Sequence, residues 1–442
     1  MTRDAFGLSS STSSAAAGVA FEEAVLSLAG HRHTTGAALG RALSADPSHV
    51  GALALKGFAN LILAREELVP SATEALGSAR LAISANNGAT EDEHILVAAL
   101  GTAATGHFAK AADVLDQGFA DRPSALLPFK LSHSLRFMVG DKAGMLAAST
   151  HMLDDWSEDR PGAGFLLGCH AFGLEEHGHY AAAEAFGQRA VRLEPTDAWG
   201  LHAVSHVHEM RGALTEGIDW LENGRDGWSR CNNFSYHLAW HLSLLHLERG
   251  DIVRVLELYD DEVRPEQTDD VRDVANAVSL LWRLNLKGID VGGRWRDLAE
   301  IAHRRRKDTT LVFASLHTLM VLVATGDRAA ADDLVLALEQ RAEGSDDQAR
   351  AARDVGLPLA RVILGTGRHD RAVLNRLSLS LPLIGGSNAQ RDLFVLSLAE
   401  AAQRHNDTGS LHRIHIARSQ LKSEDSLIAC IEDRAVNYAR TA

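Results

Sequence analysis

Glycine recurs along this chain at intervals that suit a helix-turn-helix repeat. Gly106, Gly140, Gly178, Gly212 and Gly250 are separated by 34, 38, 34 and 38 residues. A helix pair of about 34 residues is the tetratricopeptide period. At each step the glycine frees the turn between two helices, where the backbone must go left-handed. The clearest copy runs Gly178, Tyr180, Ala183, Phe186, Ala190 and Pro195. Its small alanines let the second helix nest against the first, and proline closes the unit. Gly106 to Pro123 repeats the spacing through Phe108, Ala111, Leu115 and Gly118, and Ala42 with Pro47 ends an earlier copy. Gly326 and Gly367 read as later, divergent copies, while residues 290–306 and the tail after Ser387 fit the period less well.

The expected fold is all-α: a TPR-like helix-turn-helix superhelical solenoid running continuously over 17–442. Residues 1–16 are expected to be a flexible tail, and 264–270 is the best candidate for an exposed loop that breaks the array. Composition agrees. Apolar residues make up 46% of the chain and aromatic ones only 5%, and nine prolines leave room for long helices. No sustained period-two alternation argues for a sheet. A chain of 442 residues is too long for one ordinary core, so it grows by repetition, each unit burying surface against its neighbours.

A net charge of -14 argues against a nucleic-acid binder, which needs a basic face. The short basic run from His303 to Lys307 reads as a solvated helix end. Three cysteines form no CxxC pair, and their odd number suits a reducing compartment. The N-terminus lacks a signal-peptide pattern, and no run of 18 apolar residues predicts a membrane span. A cytoplasmic protein is expected, and a homo-oligomer is left open.

The polar chemistry gathers in the middle. Eleven of 22 histidines lie between His133 and His246, and all seven tryptophans between Trp156 and Trp295, so this block differs from the ends. Counted back from the repeat glycines, these residues fall on the first helix of each unit. His202, His206 and Glu209 precede Gly212 by 10, 6 and 3 residues; His237 and His241 precede Gly250 by 13 and 9. His170 and Glu175 precede Gly178, His133 precedes Gly140, and His317 precedes Gly326. First helices are expected to line the concave surface of such an array. His202, His206 and Glu209 share one helical face, and His237 and His241 another. Trp199, Tyr236, Trp240 and Trp282 are candidate apolar walls, and Arg283 a candidate cation.

Three readings of this face compete. Imidazoles at His202, His206, His237 and His241 suit a transition metal, although His-x-x-x-His alone is a weak signal. His208-Glu209 is not followed by the second histidine of a zinc-protease motif. A metal-free acid–base site would use His206 and His241 with Glu209 or Glu175 as the orienting carboxylate, and Ser205, Cys169 or Cys231 are conceivable nucleophiles without a supporting motif. The structural alternative is that histidines bridge helices by hydrogen bonds and the tryptophans are core. The metal is the less favoured reading at this stage, and the cofactor is left unknown.

Phe172 to Glu176, Pro195 to Trp199, His202 to Met210, His237 to His241, Tyr259-Asp260, Leu281 to Leu284 and Gly385 to Asp392 together resemble the tetratricopeptide repeat protein 38 family. The resemblance spans about residues 20 to 420 and is most specific from Phe172 to Asp260. It implies an all-helical repeat fold and no established activity. It makes the His/Glu face and the segment from Gly385 to Asp392 look like shared features. That segment lacks the ending of a phosphate loop. Asn388, Gln390 and Arg391 are candidate ligand contacts there, and a helix cap at Ser387 is the favoured alternative.

The functional expectation is a pocket lined by His, Glu and Trp that binds, and in one version transforms, a small molecule or short peptide. Its ligand contacts would be His170, Glu175, Trp199, His202, Tyr236, His237, Trp240, Arg283, His317, Asn388, Gln390 and Arg391. The alternative is a non-catalytic scaffold gripping an extended peptide.

Overall fold

A computed structural model describes residues 2–85, 88–118, 120, 125–366, 370–422 and 425–431. Among them are about 24 α-helices, packed in sequential antiparallel pairs. The protein is an all-helical repeat protein, as the glycine spacing predicts.

Each expected glycine sits where a first helix ends. Gly106, Gly140, Gly178, Gly212 and Gly250 all have positive φ, between 64° and 87°. At Gly178 the amide of Gly178 donates to Glu175 O (2.8 Å) and that of His179 to Leu174 O (2.9 Å), the paired bonds of a left-handed helix stop. Gly326 (φ 75°) continues the ladder as expected, Gly288 (φ 75°) and Gly365 (φ 64°) add further stops, and His31, Ala64 and Asn406 hold the same conformation without being glycine. The expected Gly367 and Pro123 lie outside the described residues.

A methyl group added to Gly178 would meet nothing within 4 Å. Gly178→Ala should therefore cost only the backbone strain, about 1 kcal/mol, read as a lower urea midpoint with unchanged slope.

The two helices of a pair are buried differently. Nearly all of Ala163–Glu176 is buried, whereas Tyr180–Leu193 buries Ala183, Gly187 and Ala190. Phe234–Arg249 is buried from His237 to Leu247, and its partner Ile252–Leu258 buries Val255 and Leu258. These two first helices are packed on nearly every side, so a polar residue placed on one is largely cut off from water.

The chain divides into two compact units: Met1–Val204 with Asn223–Ser235, and Ser205–Glu222 with Tyr236–Ala442. In the first unit, Thr2–Arg3 pairs with Ser9–Ser10, and the Ser9 amide donates to Asp92 Oδ2 at 2.7 Å. Residues 223–235 return to the first helical turn. Arg32 bridges Cys231, the Asn232 amide donates to His31 O at 2.7 Å, and the Cys231 thiol reaches Gly30 O, 201 residues away in sequence.

The second unit is tied by its C-terminal pair. Lys422 and the Ser426 amide both reach Glu248, and Lys287 reaches Ser426 Oγ. The 264–270 segment is anchored as well: Arg264 donates to Asp297 and Thr268 O, and Thr268 donates to Asp273.

Candidate functional site

Every candidate histidine sits on a first helix, in the burial that such a helix imposes. His206 and His241 are fully buried, His202 and His317 are 1% exposed, and His133 3%. The candidates fall into two groups, one in each unit.

In the second unit, His206 and Glu209 come from Ala198–Arg211, His237 and His241 from Phe234–Arg249, and Asn276 and Arg283 from Val271–Leu286. The ring nitrogens of His206, His237 and His241 that point toward a common centre lie within 4.8 Å of one another. His237 Nδ1 is 2.9 Å from Asn276 Oδ1, His241 Nδ1 is 3.2 Å from Glu209 Oε2, and the two Nε2 atoms face each other at 3.2 Å. Trp240 stacks on His237 (5.1 Å between ring centres) and meets His241 edge-on (4.6 Å), closing the apolar side. His202 stands one turn before His206 on the same helix.

The geometry dictates the protons. Asn276 Oδ1 only accepts, so His237 Nδ1 donates and His237 Nε2 carries a lone pair. His241 Nε2 must then donate to it, which leaves His241 Nδ1 as acceptor for a protonated Glu209. Burial pushes the Glu209 carboxyl up, against the pull of Lys422, His206 and Arg283. Burial also holds His237 near 3 and His241 well below its usual 6.5, so both rings are neutral. If Glu209 gives up its proton, His241 swings to its other tautomer and both Nε2 lone pairs converge on one point.

Around this chain lies a buried ionic network. Arg283 is 1% exposed. It donates to Ser279, to Ala389 O (3.1 Å) and to Asp392 (3.4 Å), with its guanidinium 5.8 Å from the centre of the Trp240 ring. Arg418 bridges Asp392 and Asp425. Lys422 Nζ lies 2.8 Å from Glu248 and 4.0 Å from Glu209.

The remaining candidates of this unit have local roles. His317 Nδ1 donates to Phe313 O (2.8 Å), and its ring lies between Phe313 and Phe394. Tyr236 is half-buried, with Glu266 and Asp273 as its acidic neighbours. Ser387 and Gln390 form a reciprocal helix cap. Arg391 ties Asn388 to the carbonyls of Gly385 and Gly386.

The first unit holds an aromatic cluster. Trp199 packs on Phe172 (4.9 Å), His202 (4.9 Å), His133 (5.7 Å) and Phe234 (5.5 Å). Lys130 Nζ donates to Cys169 Sγ (3.3 Å) and lies 5.7 Å from the Trp199 ring centre. Burial pushes the Cys169 thiol up and the Cys231 thiol up to about 11, which removes both as nucleophiles at neutral pH. Burial raises the Asp197 carboxyl to about 7, against the pull of Lys130. His170 pairs with Ser149 Oγ (3.1 Å) and meets Phe186 edge-on, and Glu175 is fully buried in the same helix.

His133 carries a pH consequence. Among the described residues neither ring nitrogen has a hydrogen-bond partner, and burial, then Lys130, lowers it from 6.5 to about 3. The fold keeps it neutral while the unfolded chain takes a proton below pH 6.5, so stability is lost as pH falls through that window, by about 1.4 kcal/mol per pH unit. His133→Phe should flatten the decline, retaining about 3 kcal/mol more of the neutral-pH stability at pH 4. Urea titrations across pH 7 to 4 measure it.

Asn276, Glu248, Arg418 and Lys422 do not stand out in the sequence. Asn276 lies 39 residues from His237, and Lys422 lies 174 from Glu248, so no local spacing announces them.

No family model matches the chain. Among solved structures it is similar to a chain of the Naa15/Naa10 complex bound to HypK-THB, at 14% identity and a TM-score of 0.26. The match covers 91% of this chain and 63% of that one, so the chain spans less than two thirds of its neighbour's length. No helix among the described residues is long and apolar enough to cross a membrane.

Proposed function

We propose that this helical repeat protein binds a single transition-metal ion through His206, His237 and His241. The observation that supports it is the opposed pair of Nε2 atoms, 3.2 Å apart, with each Nδ1 already committed to a buried oxygen. Two nitrogens at about 2.0–2.1 Å from a tetrahedral zinc stand about 3.3–3.4 Å apart. Carboxylate and amide oxygens behind metal-binding imidazoles are the usual orienting partners, and Glu209 and Asn276 supply one of each. An all-imidazole donor set suits zinc, cobalt, nickel or copper better than magnesium or calcium. The burial of the three rings favours an ion over a metabolite or peptide as the occupant of this point.

Membership of the tetratricopeptide repeat protein 38 family is the finer assignment that the sequence resemblance supports. A second reading keeps His206, His241 and Glu209 as acid–base residues for a small molecule or short peptide. An open cleft of about 530 Å³ favours it, because Glu248 lines that cleft and is linked through Lys422 to Glu209.

Protein stripped with chelator and titrated with Co²⁺ should show the visible bands of a tetrahedral site. Binding should saturate near about one equivalent and release about one proton, the one held by Glu209. Zinc or nickel should raise the melting temperature. Failure of all three ions to bind or to shift melting sinks the metal reading.

A further inference from the structure

A separate cleft of about 430 Å³ in the second unit is lined by Tyr259, Arg264, Gln267, Arg294, Arg296 and Asp297, among others. Its walls are irregular backbone. Tyr259–Val263 is a π-helical turn, a form frequent at functional sites. Gly292–Arg294 is a 3-10 turn leading into Trp295–Arg304. The first runs on directly from the second helix Ile252–Leu258, and neither turn belongs to the histidine centre.

Two residues of this cleft carry buried donors with no acceptor among the described residues. Arg264 has only 3% of its side chain exposed; Nε donates to Asp297 (2.9 Å), Nη1 donates to Thr268 O (2.8 Å), and Nη2 has no partner among the described residues. Tyr259 is 3% exposed and its hydroxyl likewise has no partner among them. Burial, together with Asp297 and Asp260, raises the Tyr259 phenol, so its O–H remains a donor at neutral pH. Arg294 is spent on Asp260, with Nε at 2.8 Å and Nη2 at 2.5 Å, and on Val291 O. Arg296 is exposed at the rim and makes no ion pair among the described residues. Arg264, Arg294 and Arg296 outnumber Asp260 and Asp297, so the cleft is locally positive in a protein of net charge -14.

A stranded guanidinium N–H and a stranded phenol O–H are each costly while unpaired, and both need an acceptor. Neutral acceptors would leave the excess charge uncompensated. We propose that this cleft binds an oxyanion, the phosphate or carboxylate head of a small molecule, with one oxygen taking the Arg264 Nη2 and Tyr259 hydroxyl protons and Arg296 closing over it from the rim. The guanidinium fork suits either head.

Inorganic phosphate and acetate are the two probes, titrated by isothermal calorimetry into the full chain and compared with ionic-strength-matched chloride. Saturable binding of phosphate points to a phosphate ester, and of acetate to a carboxylate; either supports the site. Tyr259→Phe deletes one hydroxyl and Arg296→Ala one exposed charge, so both variants should melt close to the parent while binding about tenfold more weakly. Titration of the chelator-stripped protein should give the same anion isotherm, which separates this cleft from the metal centre. The proposal is overturned if neither probe binds beyond the chloride control, or if binding survives both cleft variants undiminished.

Discussion

Alanine at His241 should abolish Co²⁺ and Zn²⁺ binding, while Glu209→Gln should weaken it by about 10–100-fold. The two differ because His241 would donate a lone pair and Glu209 would act behind it. Glu209 orients the ring through a 3.2 Å contact and takes up the proton that decides the tautomer. A glutamine side chain in its place would retain the shape and a carbonyl acceptor but lose the carboxylate charge that makes the imidazole a stronger donor. Asn276→Leu should act in the same range from the other side, by freeing His237 Nδ1. Competition titrations with a chromophoric chelator measure all three. Affinity should also fall as pH is lowered, because protons compete for the same lone pairs. Equal loss in the three variants would contradict this division of labour. A loss of stability with no change in metal affinity would return the cluster to a purely structural role.

Arg418→Met should destabilise the protein by about 3–5 kcal/mol, the range for breaking a buried ion pair from one side. Arg418 has 5% of its side chain exposed and joins Asp392 to Asp425. Burial alone would raise the Asp392 carboxyl, but Arg418, Arg283 and Lys422 more than offset it and hold it below the usual carboxylate range. Without Arg418, two carboxylates remain inside with less compensation, and a thioether cannot accept the charge. The pair Arg41–Glu23 is the natural control. It is also in direct contact but 54% and 48% exposed, so Arg41→Met should change stability by less than about 1 kcal/mol. Urea denaturation of both variants, repeated at high salt, makes the comparison. Salt should erase the Arg41 effect and leave that of Arg418. An Arg418→Met protein as stable as the parent would show that the network contributes no net stability.

The cap ladder is legible in the sequence because a left-handed helix stop is a property of a few consecutive residues, and glycine meets its backbone demand most cheaply. It becomes illegible where another residue meets the same demand. His31, Ala64 and Asn406 adopt positive φ without advertising it. Gly288 lies 38 residues after Gly250 and 38 before Gly326, so it keeps the spacing of the earlier copies even though the 3-10 turn Gly292–Arg294 follows it.

The histidine face is legible for the same local reason. Counting back from a helix stop assigns His206 and His241 to first helices, but their full burial is decided by how those helices pack against their neighbours. What those rings touch does not follow from register either. That His237 meets Asn276, that Lys422 returns to Glu248, and that Tyr259 and Arg264 share a cleft depend on how whole helices stack. Stacking is set by side-chain fit summed over many contacts, none of which has a fixed spacing along the chain. The sequence by itself therefore determined the helix pairs and which residues share a first helix. Only the tertiary structure decided which buried groups found partners and which were left facing each other.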